Sequence, residues 1–173
     1  MIAVLRPFNR KRDKRVTTHL ALVARAFGAD KIIITGEIEK RTIESIEDVS
    51  ARWGGKFKVE MRENPVEVIK CWNGKVVHLT MYGVPVDEII AEIRKSKDIL
   101  VVVGGKKVPN DFFKLSDYNV AVGSQPHSEI SALAVFLDRY YMGKELYFNF
   151  KNAKIKVVPQ KKGKKVIEIE CEH

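Results

Sequence analysis

Cysteine is nearly missing. The 173 residues contain 2, Cys71 and Cys171, far apart and with no Cys or His partner at metal-ligand spacing. This excludes a disulfide framework and a zinc site, and no other metal site is indicated. Cys71 is expected to be a small core residue, the usual place of a free thiol. No run approaches the roughly 18 consecutive apolar residues that a membrane span needs. The N-terminus, MIAVLRPFNRKR, is apolar first and basic second, the reverse of a secretory signal. The expected location is therefore the cytoplasm, with no membrane partner. Internal repeats and low-complexity tracts are absent as well. So is G-x-x-x-x-G-K-[ST], and the first strand end, VLRPFNR, lacks the glycines of a dinucleotide fingerprint. An ordinary Rossmann cofactor site at the first turn is disfavoured.

Charge, by contrast, is plentiful and unbalanced. Lys plus Arg number 31 against 22 Asp plus Glu, a net charge of +9, with a pI near 9.5. Such a balance points to a polyanionic partner, either nucleic acid or an acidic membrane surface. With 45% hydrophobic and 31% charged residues the chain has the composition of one globular domain with a full core. Abundant Lys, Glu and Arg with little Cys also suit a hot environment.

The basic residues are concentrated. Six of the ten residues from Arg6 to Arg15 are basic: Arg6, Arg10, Lys11, Arg12, Lys14 and Arg15. Most such runs are solvated connectors, but this one lies between an apolar strand, MIAVLR, and the helix TTHLALVARAFGAD. Thr17 or Thr18 is the expected N-cap of that helix and Gly28 its stop, with Leu20, Val23 and Phe27 on one face. Arginines beside the free N–H groups of a helix start suit a phosphate.

The remaining pattern alternates strand and helix. KIIITG, KFKVEM, KVVHLTMYG, DILVVVGG and YNVAVG are expected as strands. The intervening helices show inward stripes at Ile43, Ile46, Val49 and Trp53, at Ile89, Ile90 and Ile93, and at Ile130, Leu133, Ala134 and Leu137. Pro65 opens a short helix that Gly74 ends, NDFFKLSD is a short helix or turn, and the last helix runs from about Ser128 to Tyr141. Trp53 and Trp72 are expected in the core. Strands apolar throughout and alternating with helices predict an α/β fold, a mostly parallel sheet covered on both faces. The tail differs: ELYFNF, KIKVVPQ and KVIEIECE look strand-like, and KKGKK makes a glycine-centred turn between the last two. A C-terminal β-hairpin is expected, on the sheet or on a partner subunit.

Ligands of open α/β sheets bind at the carboxyl ends of strands. Three strand ends here carry loops with Gly for close approach and Pro for stiffness: LTMYGVP (79–85), GGKKVP (104–109) and GSQPHSE (123–129). They are expected to line one pocket.

These loops carry a resemblance. HLTMYG, VVVGGKKVP and NVAVGSQPHSEISALAVFLDRYY, in that order and preceded by RDKRVTTHLALVARAFGAD, resemble the archaeal tRNA cytidine-56 2′-O-methyltransferases of the SPOUT superfamily. The match covers about residues 1–141. It implies a single SPOUT domain over 1–173, with 145–173 as a C-terminal β extension, a deep C-terminal trefoil knot, S-adenosylmethionine as cofactor, tRNA as substrate and a homodimer. It further implies that Leu79, Gly104, Gly105, Lys106, Lys107 and Val108 wrap the cofactor, together with Val122, Gly123, Ser124, Gln125, Pro126, His127, Ser128 and Glu129. An arginine near the N-terminus is implied at the reacting ribose: Arg15 first, Arg12 second, with His19 as assistant. Only RNA offers a 2′-hydroxyl, so DNA is not an expected partner. Two alternatives remain open, a SPOUT enzyme for another RNA position or a base, and a non-catalytic RNA-binding α/β domain.

From the residues alone, His19 is as readily a helix-face histidine and His78 a structural one, and His127 shapes its loop. Tyr140 and Tyr141 are core or interface anchors more than base-stacking platforms.

Overall fold

A computed structural model of the chain describes residues 1–104 and 108–169; Gly105, Lys106, Lys107 and Cys171 lie outside the described residues. Six strands form one parallel sheet: β1 (Ile2–Asn9), β2 (Lys31–Gly36), β3 (Lys58–Arg62), β4 (Lys75–Pro85), β5 (Ile99–Val103) and β6 (Tyr118–Ala121). Their order is β3-β2-β1-β5-β4-β6. The chain winds outward from β1 to β3, crosses over to β4, inserts β5 beside β1 and adds β6 at the far edge. The order therefore reverses between β1 and β5, where such sheets open a ligand crevice.

Six helices cover the sheet: α1 (Lys14–Ala26), α2 (Lys40–Trp53), α3 (Pro65–Lys70), α4 (Val86–Ile93), α5 (Asn110–Leu115) and α6 (Glu129–Tyr141). Alternation along each strand splits the core into two layers. Ile2, Val4, Ile32, Ile34, Val101 and Val103 face α1, α2, α4 and α6, meeting Leu20, Ile46, Ile93, Leu133 and Phe136. Ala3, Leu5, Ile33, Leu100 and Val102 face α3 and α5, meeting Ile69 and Phe112. Helix α6 packs against α1 and α4 and thereby joins the two halves of the sheet. Its C-terminal tyrosines are anchors: Tyr140 OH donates to Ser96 O and Tyr141 OH to Gly28 O.

Several expectations need correction. β1 continues past Arg6 to Asn9. Helix α1 starts at Lys14 with Asp13 at the cap position, so neither threonine caps it. Thr17 is buried and donates its hydroxyl to Asn9 Oδ1, a tertiary bond that local sequence could not announce. Cys71 is exposed, because it follows the end of the short α3 instead of sitting on its buried face. Trp53 and Trp72 are half-buried; Trp72 packs on the edge of the second layer and Trp53 belongs to neither. Within ELYFNF the chain makes a 3-10 turn, Lys144–Tyr147, not a strand. Phe148 and Phe150 fold back over Gly28 and Gly55, which have no side chains to obstruct them. Beyond them β7 (Ile155–Val157) pairs antiparallel with β8 (Val166–Glu168) as a separate two-stranded sheet.

Candidate active site at the carboxyl end of the sheet

A cavity of about 950 Å³ opens where β4, β5 and β6 end. The first wall is the end of β4. This strand pairs with β6 at Val77–Leu79 and again at Val84–Pro85, and its register slips in between. The slip carries Thr80, Met81 and Tyr82 outward to the cavity mouth, where Tyr82 is 80% exposed. Gly83 makes the return possible, since a Cβ there would run into the backbone of Asn119.

The second wall is Gly104 with Val108. A Cβ on Gly104 would collide with Val108 Cγ2, so only glycine lets that valine close over the strand end.

The third wall is the stretch from Val122 to Glu129, of which Val122, Gln125, Pro126, His127, Ser128 and Glu129 line the cavity. Gly123 turns the chain at φ +73, a conformation that favours glycine. His127 then ties the loop together: Nε2–H donates to Val122 O, while Nδ1 lies 3.0 Å from Ser128 O and 3.1 Å from Ser131 Oγ. Ser128 ends the loop as the N-cap of α6, its Oγ accepting from Ile130 N–H. The expectation that three loops share one pocket therefore holds geometrically, although Gly123 and Ser124 do not line it.

Thr80, Met81 and Tyr82, from the first of the three loops, line the cavity without having been singled out as site residues, and so do His78, Val103, Asn110, Phe113 and Ala132 from outside the loops. The available signal was a polar pair in otherwise apolar strands, for His78 stands in register with Asn119. Asn119 Nδ2 donates to Phe113 O, which turns its Oδ1 toward His78 Nδ1 at 3.0 Å. Nδ1 therefore carries the proton. Burial pushes the His78 pKa down, with the Asn119 hydrogen bond opposing, so the ring is neutral at physiological pH.

The basic run is not a loose connector. Phe8 adopts a positive φ of 52, and its ring stacks 5.8 Å from Phe112. Asn9 is buried and donates Nδ2–H to Glu37 O. From this anchor Lys11–Asp13 form a 3-10 turn that leads into α1. Arg10, Lys11, Arg12, Lys14, Arg15 and His19 are exposed, and none lines the cavity. Asp13 stands at the cap of α1 and Lys14 pairs with Glu39 at 2.7 Å, but among the described residues Arg10, Lys11, Arg12 and Arg15 have no ion-pair partner near that positive helix end, an arrangement that an anion would relieve. Arg6 departs from the group: it is buried and paired with Glu129. Among the described residues no cluster of His, Cys, Asp or Glu could hold a metal ion, and no helix is long and apolar enough to cross a membrane.

Residues 53–167 match the family model described as tRNA ribose 2′-O-methyltransferase, aTrm56. The chain is 57% identical over 160 residues to the tRNA (cytidine(56)-2′-O)-methyltransferase of Methanopyrus kandleri, covering 91% of this chain and 90% of that one. The chain belongs to this family of tRNA ribose 2′-O-methyltransferases. Another member, the tRNA (cytidine(56)-2′-O)-methyltransferase of Thermococcus kodakarensis, is 54% identical over 177 residues, covering 98% of both chains. Among solved structures, this member of the family resembles the SpoU methyltransferase AviRb from Streptomyces viridochromogenes in complex with AdoMet. The TM-score is 0.61 at 17% identity, over 82% of this chain and 57% of that one. A TrmH/SpoU tRNA modifying enzyme from A. aeolicus gives a TM-score of 0.62 at 15% identity, over 84% and 76%. At such identities the likeness concerns the fold alone, a parallel α/β sheet covered by helices.

Proposed function

We propose that the protein transfers the methyl group of S-adenosylmethionine to the ribose 2′-hydroxyl of cytidine 56 in the T-loop of tRNA. The observation that carries this is the cavity of about 950 Å³ walled by three glycine- and proline-bearing loops, in a chain of this family. Small-molecule sites measure about 300–1,000 Å³ and are mostly apolar with a few placed polar groups. The residues present fit the cofactor. Leu79, Val108 and Val122 offer flat apolar walls, the missing Cβ of Gly104 leaves backbone accessible, and the backbone of 122–129 supplies N–H and C=O groups for an adenine edge and a ribose. Gly105, Lys106 and Lys107 complete the set in this reading. S-adenosylmethionine supplies an electrophilic methyl on a sulfonium; positioning then accounts for most of the catalysis, about 7–11 kcal/mol in favourable cases.

The exposed cations Arg10, Lys11, Arg12, Lys14 and Arg15 grip the ribose–phosphate chain at the same end of the sheet. Arg15 stands beside the reacting ribose, with Arg12 second and His19 assisting. The domain forms the deep trefoil knot of SPOUT proteins in this reading, which rests on the likeness of the loops 79–85, 104–109 and 123–129. It works as a homodimer in the cytoplasm. The exposed apolar side chains Met142, Leu146 and Tyr147, at and beyond the end of α6, support a subunit interface there.

The deciding experiment is transfer of labelled methyl from S-adenosylmethionine to unmodified tRNA transcripts, followed by nuclease digestion. The expected product is 2′-O-methylcytidine from the T-loop. Label on a base or at another position would replace the proposed substrate, and no incorporation despite cofactor binding would overturn the methyl-transfer reading.

A further inference from the structure

Arg6 stands where the strand pattern calls for an apolar side chain. Ile2 and Val4 face the layer under α1 and α6, and Arg6, two residues on, points the same way at 4% exposure. Its Nη1 donates to Glu129 Oε1 at 3.1 Å and lies 3.5 Å from Val103 O, while Nε is buried without a partner. Burying a guanidinium costs several kcal/mol, and an apolar residue in its place is often neutral or stabilising. Stability is therefore a poor account of this pair.

Its geometry gives a better one. Arg6 links the end of β5 to the first residue of α6, behind two of the three cavity walls. Glu129 is only partly covered, with 28% of its side chain exposed, and it is the one acidic side chain among the described lining residues. Arg6 holds Oε1, and among the described residues Oε2 has no hydrogen-bond or ion-pair partner, in a side chain that lines the cavity. The other lining groups able to take a proton are occupied or enclosed. Both ring nitrogens of His127 are engaged within its loop. His78 also lines the cavity but is only 1% exposed, with Nδ1 engaged by Asn119 and the rings of Phe112 and Phe113 packed edge-on against it at 6.3 and 4.8 Å between centroids.

We infer that Glu129, aimed by Arg6, accepts the proton of the ribose 2′-hydroxyl, and that Arg6 is the positioning residue for that step. The inference rests on the methyl-transfer reading above. In that reaction an O–C bond forms as an S–C bond breaks, the electron pair of the broken bond stays on sulfur, and the hydroxyl proton is released. Glu129 Oε2 takes that proton and passes it to water.

The test compares cofactor affinity with the rate of a single turnover on tRNA. Glu129→Gln is expected to slow methyl transfer by at least about 100-fold, the lower range for a lost general base, while the calorimetric Kd for S-adenosylmethionine stays nearly unchanged. Added formate restores part of the rate in Glu129→Ala. Arg6→Gln, or Arg6→Lys if the former does not fold, slows the same step. The double variant Arg6→Gln/Glu129→Gln is no slower than Glu129→Gln alone, since the two act as a unit. A wild-type rate in Glu129→Gln overturns the inference. So does a Kd that rises in step with the rate loss, which would make Glu129 a cofactor ligand, and so do losses that multiply in the double variant. A wild-type protein that methylates no tRNA would instead fell the methyl-transfer reading itself.

Discussion

Arg6 and Arg25 are buried almost equally, at 4% and 6% exposure, and both leave Nε without a partner, yet they stand at opposite ends of the sheet. Arg6, at the carboxyl end, is paired with a partly exposed carboxylate, that of Glu129, which lines the cavity. Arg25, at the C-terminal end of α1, has only neutral partners: its Nη2 donates to Gly54 O, and the guanidinium lies 4.8 Å over the ring of Phe150. That arrangement is a fastening. Around it Gly55 N–H donates to Lys151 O and Lys154 N–H to Arg52 O, so that the C-terminal extension is tied to the end of α2. Burial alone pushes the Arg25 pKa down, but a guanidinium stays charged in proteins. The contrast shows how a buried charge can be read: neutral acceptors and an aromatic face mark structure, whereas an ionisable partner open to a cavity marks chemistry.

The harshest way to break the comparison is to remove a cation at the carboxyl end that bears on chemistry but not on packing. Arg15→Ala is expected to abolish methyl transfer to tRNA while the melting temperature and the S-adenosylmethionine Kd stay near wild type, because the side chain is exposed. Retained activity would remove Arg15 from the reacting end. Next in size is Gly104→Val, which forces a side chain into Val108. Cofactor affinity measured by calorimetry should fall by at least about 100-fold, the equivalent of roughly 2.7 kcal/mol. Unchanged affinity would mean that the second wall does not touch the cofactor.

The two ends also differed in how far sequence could foretell them. Runs such as IIIT and ILVVV announced buried parallel strands, and Gly123, Pro126 and Ser128 announced a loop and the start of a helix, because each signal is local. Arg6 was masked by its neighbours: within a run of six basic residues nothing separates the buried member from the exposed ones except the alternation set by Ile2 and Val4. Thr17 was mistaken for a cap because its partner, Asn9, belongs to another element. ELYFNF had the alternation of a strand, but its aromatic residues turn back onto Gly28 and Gly55, a long-range contact that periodicity cannot encode. The substrate came from family likeness; periodicity alone would have stopped at an α/β domain with an anion-loving surface.

At the amino end the comparison predicts loss of stability without loss of chemistry. Arg25→Leu removes a charged donor from Gly54 O and the cation over Phe150, at a cost of about 2 kcal/mol. For a chain of this size the melting temperature should drop by about 4–8 °C, while the folded fraction keeps its turnover rate. A variant as stable as wild type would mean that the extension is held by Phe148 and Phe150 alone. A turnover defect at unchanged stability would place Arg25 with Arg6 and dissolve the distinction.

The smallest expected effect separates the two ends by pH. Burial pushes the pKa of His78 down, against the opposing hydrogen bond with Asn119, whereas an unfolded histidine titrates near 6.5. Below about pH 6.5 the unfolded chain binds a proton that the folded site refuses, so the contribution of neutral His78 is full above that pH and is lost as the pH falls through it. Urea denaturation at pH 7.5 and 5.5 should show the lower stability at pH 5.5, and His78→Gln should reduce the difference, since a glutamine keeps a polar group near Asn119 and does not titrate. Glu145, buried just past the end of α6 at the amino end, has its pKa raised by that burial and so adds a slope of the opposite sign, and the part due to His78 is the part that His78→Gln removes. An undiminished difference in His78→Gln would mean that the proton enters the folded site freely and that the rings of Phe112 and Phe113 do not seal the inner side of the cavity.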